Sequence, residues 1–121
     1  MAKILIVDDS ETALEFSAQA LEKGGHEVLK AKGGLEANKF IFSKDKPDLV
    51  LLDIMMPLLN GDKVFEAFKQ SEISRSIPVV FYSTKSEEEL EALTKKHGNL
   101  GYIKKPLPAS ELLKTVNNFL A

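Results

Sequence analysis

The 121-residue sequence has no cysteine, only two histidines, few prolines and glycines, and almost no net charge. Each scarcity removes a class of function. Without cysteine there are no disulfides, no thiolate metal sites and no thiol catalysis. With His26 and His97 as the only imidazoles, a multi-histidine zinc site is excluded. A formal charge of −2 and a pI near 5.7 provide no general attraction to nucleic acid, so direct DNA binding is not expected. Long hydrophobic runs are also missing. The longest early one, Ile4 to Val7, stops at once at Asp8-Asp9, which fits neither a signal peptide nor a membrane span. A cytoplasmic protein with no membrane partner is the expectation. No long linker, repeat or low-complexity tract interrupts the chain.

What is present reads as one domain over residues 1–121. A chain of this size buries roughly two thirds of its unfolded surface and needs no staples. Five short β-rich runs alternate with helical stripes: Ile4–Val7, Val28-Leu29, Leu49–Leu52, Val79–Tyr82 and Tyr102-Ile103. Three are nearly continuous apolar stretches, as strands buried on both faces of a parallel sheet should be. Between and after them, apolar residues recur at helical spacing: Leu14, Ala18, Leu21; Ala37, Phe40, Ile41; Val64, Phe65, Phe68; Leu90, Leu93; and Leu112, Val116, Phe119, Leu120. Ser10 is placed to cap the first helix and Gly24-Gly25 to end it. Ser86 with Glu89 forms a capping box, and Pro108 suits the first turn of the last helix. The pattern predicts an α/β fold, a doubly wound (βα)5 parallel sheet with helices on both faces.

In such sheets, ligands bind beyond the carboxyl ends of the strands, where strand order reverses. Asp8-Asp9 end the first strand, Asp53 the third, Ser83-Thr84 the fourth, and Lys105-Pro106 follow the fifth. Each has an ordinary reading as a cap, turn or surface residue. Their meeting at one sheet edge is what argues for a site. Clustered acids repel one another and favour a hard divalent cation; a site that retains waters suits Mg²⁺. A carboxylate beside Mg²⁺ can attack phosphorus, while metal, ammonium and hydroxyl share the phosphoryl oxygens. No histidine lies near these positions, so a hydrolytic triad fits poorly.

These residues resemble the receiver domain of bacterial two-component response regulators, the CheY-like group, over the whole chain. The acidic pair Asp8-Asp9, the run from Asp53 through Pro57 to Gly61 (D-x-x-M-P-x-x-x-G), Pro78 to Ser83, Gly101-Tyr102 and Lys105-Pro106 carry the resemblance. It implies a flavodoxin-like five-stranded sheet in the order 2-1-3-4-5, carried over from the family rather than read from the residues. It implies Asp53 as the phosphoacceptor. Mg²⁺ would be bound by Asp9, Asp53 and the main-chain carbonyl of Met55, with Asp8 acting mainly through water. Ser83, Thr84 and Lys105 would line the phosphoryl group. Ser83 and Tyr102 would switch, Tyr102 swinging inward into space that Ser83 leaves. Pro57 and Gly61 would shape the loop after Asp53, and a cis bond to Pro106 would aim Lys105.

The implied function is signalling rather than enzymology: a sensor histidine kinase or phosphotransfer protein phosphorylates Asp53. The surface of the fourth helix, fifth strand and fifth helix (helix 4–strand 5–helix 5) then changes its affinity for a downstream protein target. With the chain ending at the last helix, output is expected through that partner, from a monomer or a phosphorylation-linked homodimer. Thr84 departs from the small residue usual there and adds bulk beside the phosphoryl pocket. Met55 and Lys85 occupy positions that tune dephosphorylation in the family. Lys95-Lys96-His97 belong to the expected output surface, and both histidines are read as surface or loop residues. Two other classes compete. A haloacid-dehalogenase-type phosphatase would keep its acids in a D-x-D arrangement, whereas Asp8 and Asp9 are adjacent. A phosphorylation-independent receiver-like interaction domain would tend to lose an acid or the lysine, and all are retained.

Overall fold

The computed structural model describes residues 1–54 and 76–121. In chain order these form β1 (Lys3–Val7), α1 (Glu11–Glu22), β2 (Glu27–Ala31), α2 (Gly34–Ile41), β3 (Leu49–Leu52), β4 (Val79–Ser83), α3 (Glu87–His97), β5 (Gly101–Lys104) and α4 (Ala109–Leu120). The stretches expected as fourth and fifth helices are thus α3 and α4. The third helical stripe, together with Met55, Pro57 and Gly61, lies outside the described residues.

All five strands run parallel in the order β2-β1-β3-β4-β5, as the resemblance implied. Alternation along each strand divides the core in two. Leu5, Val7, Val50, Leu52 and Phe81 pack with Ala37, Ile41 and Leu90, so α2 and α3 cover that face. Ile4, Ile6, Leu49, Leu51, Val80, Tyr82 and Ile103 pack with Leu14, Leu21, Leu112 and Val116 under α1 and α4. Strands clothed on both sides must be apolar at consecutive positions, which is why β1, β3 and β4 read as unbroken runs. Each fully buried Leu or Ile contributes roughly 1.5–3 kcal/mol of transfer free energy.

The helix signals act largely as expected. Ser10 Oγ accepts the Ala13 N–H at 3.2 Å, and Gly25 takes a φ of +87° just beyond α1. Ser86 Oγ accepts the Glu89 N–H and donates to Glu89 Oε1, both at 3.2 Å. Pro108 is the N-cap residue of α4 rather than part of its first turn. The expectation of a surface or loop position holds for His26, which lies between α1 and β2, and fails for His97, which is buried at the end of α3, edge-on to Phe81 at 5.9 Å between ring centroids. His26 joins two distant elements, accepting the Ala2 N–H through Nδ1 at 3.1 Å and pairing through Nε2 with Asn117 Oδ1 at 2.7 Å.

Candidate functional site

Strand order reverses between β1 and β3. From the carboxyl end of β1 the chain leaves towards β2 on one side, while β3 lies on the other. The register pairs Val7 with Leu52, so the next residues, Asp8 and Asp53, emerge side by side. Backbone bonds hold both in place: the Asp53 N–H donates to Val7 O at 2.9 Å and the Asp8 N–H to Ala31 O at 3.0 Å. Neither acid can drift without breaking the edge of the sheet.

One carboxylate oxygen from each of Asp8, Asp9 and Asp53 lies within 4.8 Å of the others. Asp8 and Asp53 are only 2% and 8% exposed, while Asp9 faces solvent. Buried carboxylates this close need positive charge. Lys105 supplies one. Its backbone N–H donates to Ser83 O at 2.8 Å, beside the cis bond to Pro106. Its ammonium sits 2.5 Å from Asp8 Oδ2 and 3.6 Å from Asp53 Oδ2. Asp8 Oδ1 accepts the Ser10 N–H at 2.9 Å, linking the site to the cap of α1. Among the described residues, three carboxylates face one ammonium, and every candidate ligand atom is a hard oxygen. That set suits a divalent cation such as Mg²⁺.

The remaining expected site residues are placed as follows. Ser83 is fully buried at the end of β4, and its Oγ accepts the Lys85 N–H at 3.2 Å; its own proton is then directed elsewhere. Thr84 is exposed, and its carbonyl accepts from Lys104 Nζ at 3.4 Å. Tyr102 on β5, half-buried against the core, donates its hydroxyl to Glu91 Oε1 on α3 at 3.1 Å. Burial, then the bond to Glu91, pushes its phenol above the ordinary value.

Sequence reasoning missed Tyr82. This residue is 2% exposed and lies beneath Lys105, whose ammonium is 4.4 Å from the ring centroid. Its hydroxyl is hydrogen-bonded to Ser17 of α1 at 2.9 Å. Its chain position, just before Ser83 at the end of an apolar strand, was the only available signal.

A 2-1-3-4-5 parallel sheet with three carboxylates and a lysine at its switch point defines a flavodoxin-like α/β domain with an acidic pocket that could hold a metal ion. The response regulator receiver domain family matches residues 4–117, and the chain belongs to that family. It is 41% identical over 121 residues to protein PilH of Pseudomonas aeruginosa, covering all of this chain and 99% of that protein. The polar-differentiation response regulator DivK of Brucella ovis is 29% identical over 117 residues, 97% of this chain and 94% of DivK. The solved structure of the chemotaxis response regulator CheY4 of Vibrio cholerae superposes with a TM-score of 0.86 at 29% identity, covering 98% of each chain. Receiver domains of this family bind Mg²⁺ at an acidic pocket, and they serve two-component signalling rather than acting as ordinary enzymes. They interact with histidine kinases or phosphotransfer proteins and with downstream targets. Among the described residues, no helix is long and apolar enough to cross a membrane.

Proposed function

We propose that residues 1–121 work as one cytoplasmic receiver unit that accepts a phosphoryl group on Asp53 and thereby changes its affinity for a protein partner. The observation that carries this reading is the convergence of Asp8, Asp9 and Asp53 within 4.8 Å under the Lys105 ammonium. A carboxylate held by its own backbone and flanked by a lysine is a positioned nucleophile. An oxygen of Asp53 would form the new bond to phosphorus. The bond from phosphorus to the donor nitrogen, in a phosphohistidine or a phosphoramidate, would break, and its electron pair would leave with that nitrogen.

Bound Mg²⁺, held by Asp9, Asp53 and the carbonyl of Met55 with Asp8 acting through water, would neutralise charge on the phosphoryl oxygens. Lys105 would take one of those oxygens and Ser83 another, with Thr84 at the rim. The incoming group adds a charge of about −1.5 to −2 beside the carboxylates of Asp8 and Asp9. Drawing Ser83 towards it would open space for Tyr102, which must give up its bond to Glu91 to turn inward. That motion would alter the face made by α3, β5 and α4, where the downstream target would bind. A shift from 1:99 to 99:1 requires roughly 5.5 kcal/mol of differential stabilisation.

Intact-mass measurement after incubation with phosphoramidate, with and without Mg²⁺, tests this reading on wild type and Asp53→Asn. The expected result is a Mg²⁺-dependent gain of one phosphoryl group, absent in the variant. No gain in wild type with Mg²⁺ present would overturn it and leave the fold as a phosphorylation-independent binding module.

A further inference from the structure

We infer that Tyr82 is a positioning residue for Lys105, its ring serving as a platform that holds the ammonium over the carboxylates. The inference rests on the reading of Asp53 as phosphoacceptor and adds a residue to that machinery. Three observations carry it. The Lys105 ammonium lies 4.4 Å from the Tyr82 ring centroid, well within the range at which an aromatic face attracts a cation. On its other side the same ammonium meets Asp8 at 2.5 Å and Asp53 at 3.6 Å. It is therefore bounded by two carboxylates and one ring, and its side chain is only 14% exposed. Desolvation of this kind strengthens a cation–π contact relative to an exposed one.

The third observation is how the ring itself is held. Tyr82 belongs to an otherwise aliphatic cluster with Ile6, Leu14, Leu51, Ile103 and Leu112. A leucine would fill such a place without a polar atom to satisfy. Tyr82 instead brings a hydroxyl into the interior, where Ser17, 1% exposed, pairs with it at 2.9 Å. A buried polar pair of this kind contributes little net stability but fixes orientation. Anchored at its far end to α1, the ring cannot rotate away from Lys105. The chain from Ser17 through Tyr82 to Lys105 thus couples α1 to the direction of the ammonium.

The test uses the whole chain with Tyr82→Leu and Tyr82→Phe. Leucine removes the ring, and phenylalanine keeps it while losing the hydroxyl. With phosphoramidate and saturating Mg²⁺, Tyr82→Leu is expected to be phosphorylated about thirty-fold more slowly, the scale of one desolvated cation–π contact. Tyr82→Phe should recover most of the rate. Mg²⁺ affinity by calorimetry should stay within about two-fold in both, since Tyr82 is no metal ligand and only Lys105 is displaced. Proton NMR supplies a readout independent of activity. In wild type and Tyr82→Phe the Lys105 methylene protons should be shifted upfield of the other lysines by the ring current, and Tyr82→Leu should abolish the shift. Equal rates in wild type and Tyr82→Leu overturn the inference while leaving Asp53 as the acceptor. So does a wild-type Lys105 without upfield-shifted protons, which decides the matter even if Tyr82→Leu fails to fold. A wild type that takes up no phosphoryl group overturns the functional reading and this inference with it.

Discussion

At the scale of single residues, the charge balance around Asp8 is the feature with the largest energetic consequence. Asp8 is nearly inaccessible and relies on one ammonium and one backbone N–H. Removing the ammonium leaves the carboxylate buried without compensation, which is costlier than never having built the pair. Lys105→Met is therefore expected to destabilise the fold by about 2–3 kcal/mol, a figure lowered from the fully buried case because Lys105 keeps some contact with water. In an Asp8→Asn background the same change should cost less than half as much. Urea unfolding of the four proteins without divalent cations measures the coupling, and additive costs would mean that solvent already screens the contact.

Tyr82 makes a second residue-scale prediction, this one in pH. Burial raises its phenol above the ordinary value of 10.0, against the opposing pull of the Ser17 hydrogen bond and the Lys105 charge. A folded-state value above the unfolded one means the contribution is complete below about pH 10 and is lost as pH rises through the raised value. Tyr82→Phe has no such group, and leaves Ser17 without its buried partner. Wild type should therefore exceed it by about 1–2 kcal/mol near neutrality. That margin should shrink above about pH 10, while the titrations common to both proteins cancel. A margin constant to pH 11, on the scale set by an ordinary tyrosine near 10, would show the phenol to be accessible in the folded state.

At the scale of elements, α3 shows how local signals and tertiary demands meet. Its first turn holds Glu87, Glu88 and Glu89, its last Lys95, Lys96 and His97, and Ser86 caps it, all favourable to the helix dipole. Its other end depends on Gly98, which has a φ of +66° and open space where a Cβ would go. Gly98→Ala should therefore cost about 1 kcal/mol through backbone strain alone, with Gly98→Asn recovering part of it. A loss far larger in denaturant unfolding would point to a clash that the open space excludes. The same element shows what a sequence conveys. Helix starts and stops were legible because caps act within four residues. Strands β1, β3 and β4 were legible because double-sided burial leaves no alternative to apolar residues. The edges read shorter than they are: β2 carries exposed Glu27 and Lys30 among its five residues, and charge at a solvent-facing edge masks a strand. The acids and lysine of the site were visible because strand ends can be located. The preference of Lys105 for Asp8, the Tyr82 ring beneath it and the burial of His97 were not, since each depends on side-chain packing between elements far apart in the chain.

At the scale of the whole molecule, the net charge of −2 says little, because the imbalance that matters is local. Among the described residues, three carboxylates and one ammonium meet at the switch point of the sheet, where the connections from the paired strands β1 and β3 part. The fold therefore carries a repulsion among these acids at the carboxyl end of the sheet, and a cation that binds only the folded arrangement relieves it. Binding to the native state alone stabilises by RT ln(1 + [L]/Kd), about 2.7 kcal/mol at a hundred times the dissociation constant. For a domain of this size, 1 kcal/mol moves the unfolding midpoint by roughly 3–5 °C, so saturating Mg²⁺ should raise Tm by about 10 °C. Chelation should reverse the rise. Asp9→Asn and Asp53→Asn should each raise Tm without the metal, by easing the repulsion, and lose most of the metal-dependent gain. Scanning calorimetry of the three proteins with Mg²⁺ or chelator separates the two effects. An Mg²⁺ gain that survives both substitutions would place the cation elsewhere on the surface. No gain in wild type would mean that the protein's own groups, Lys105 among them, already balance the cluster.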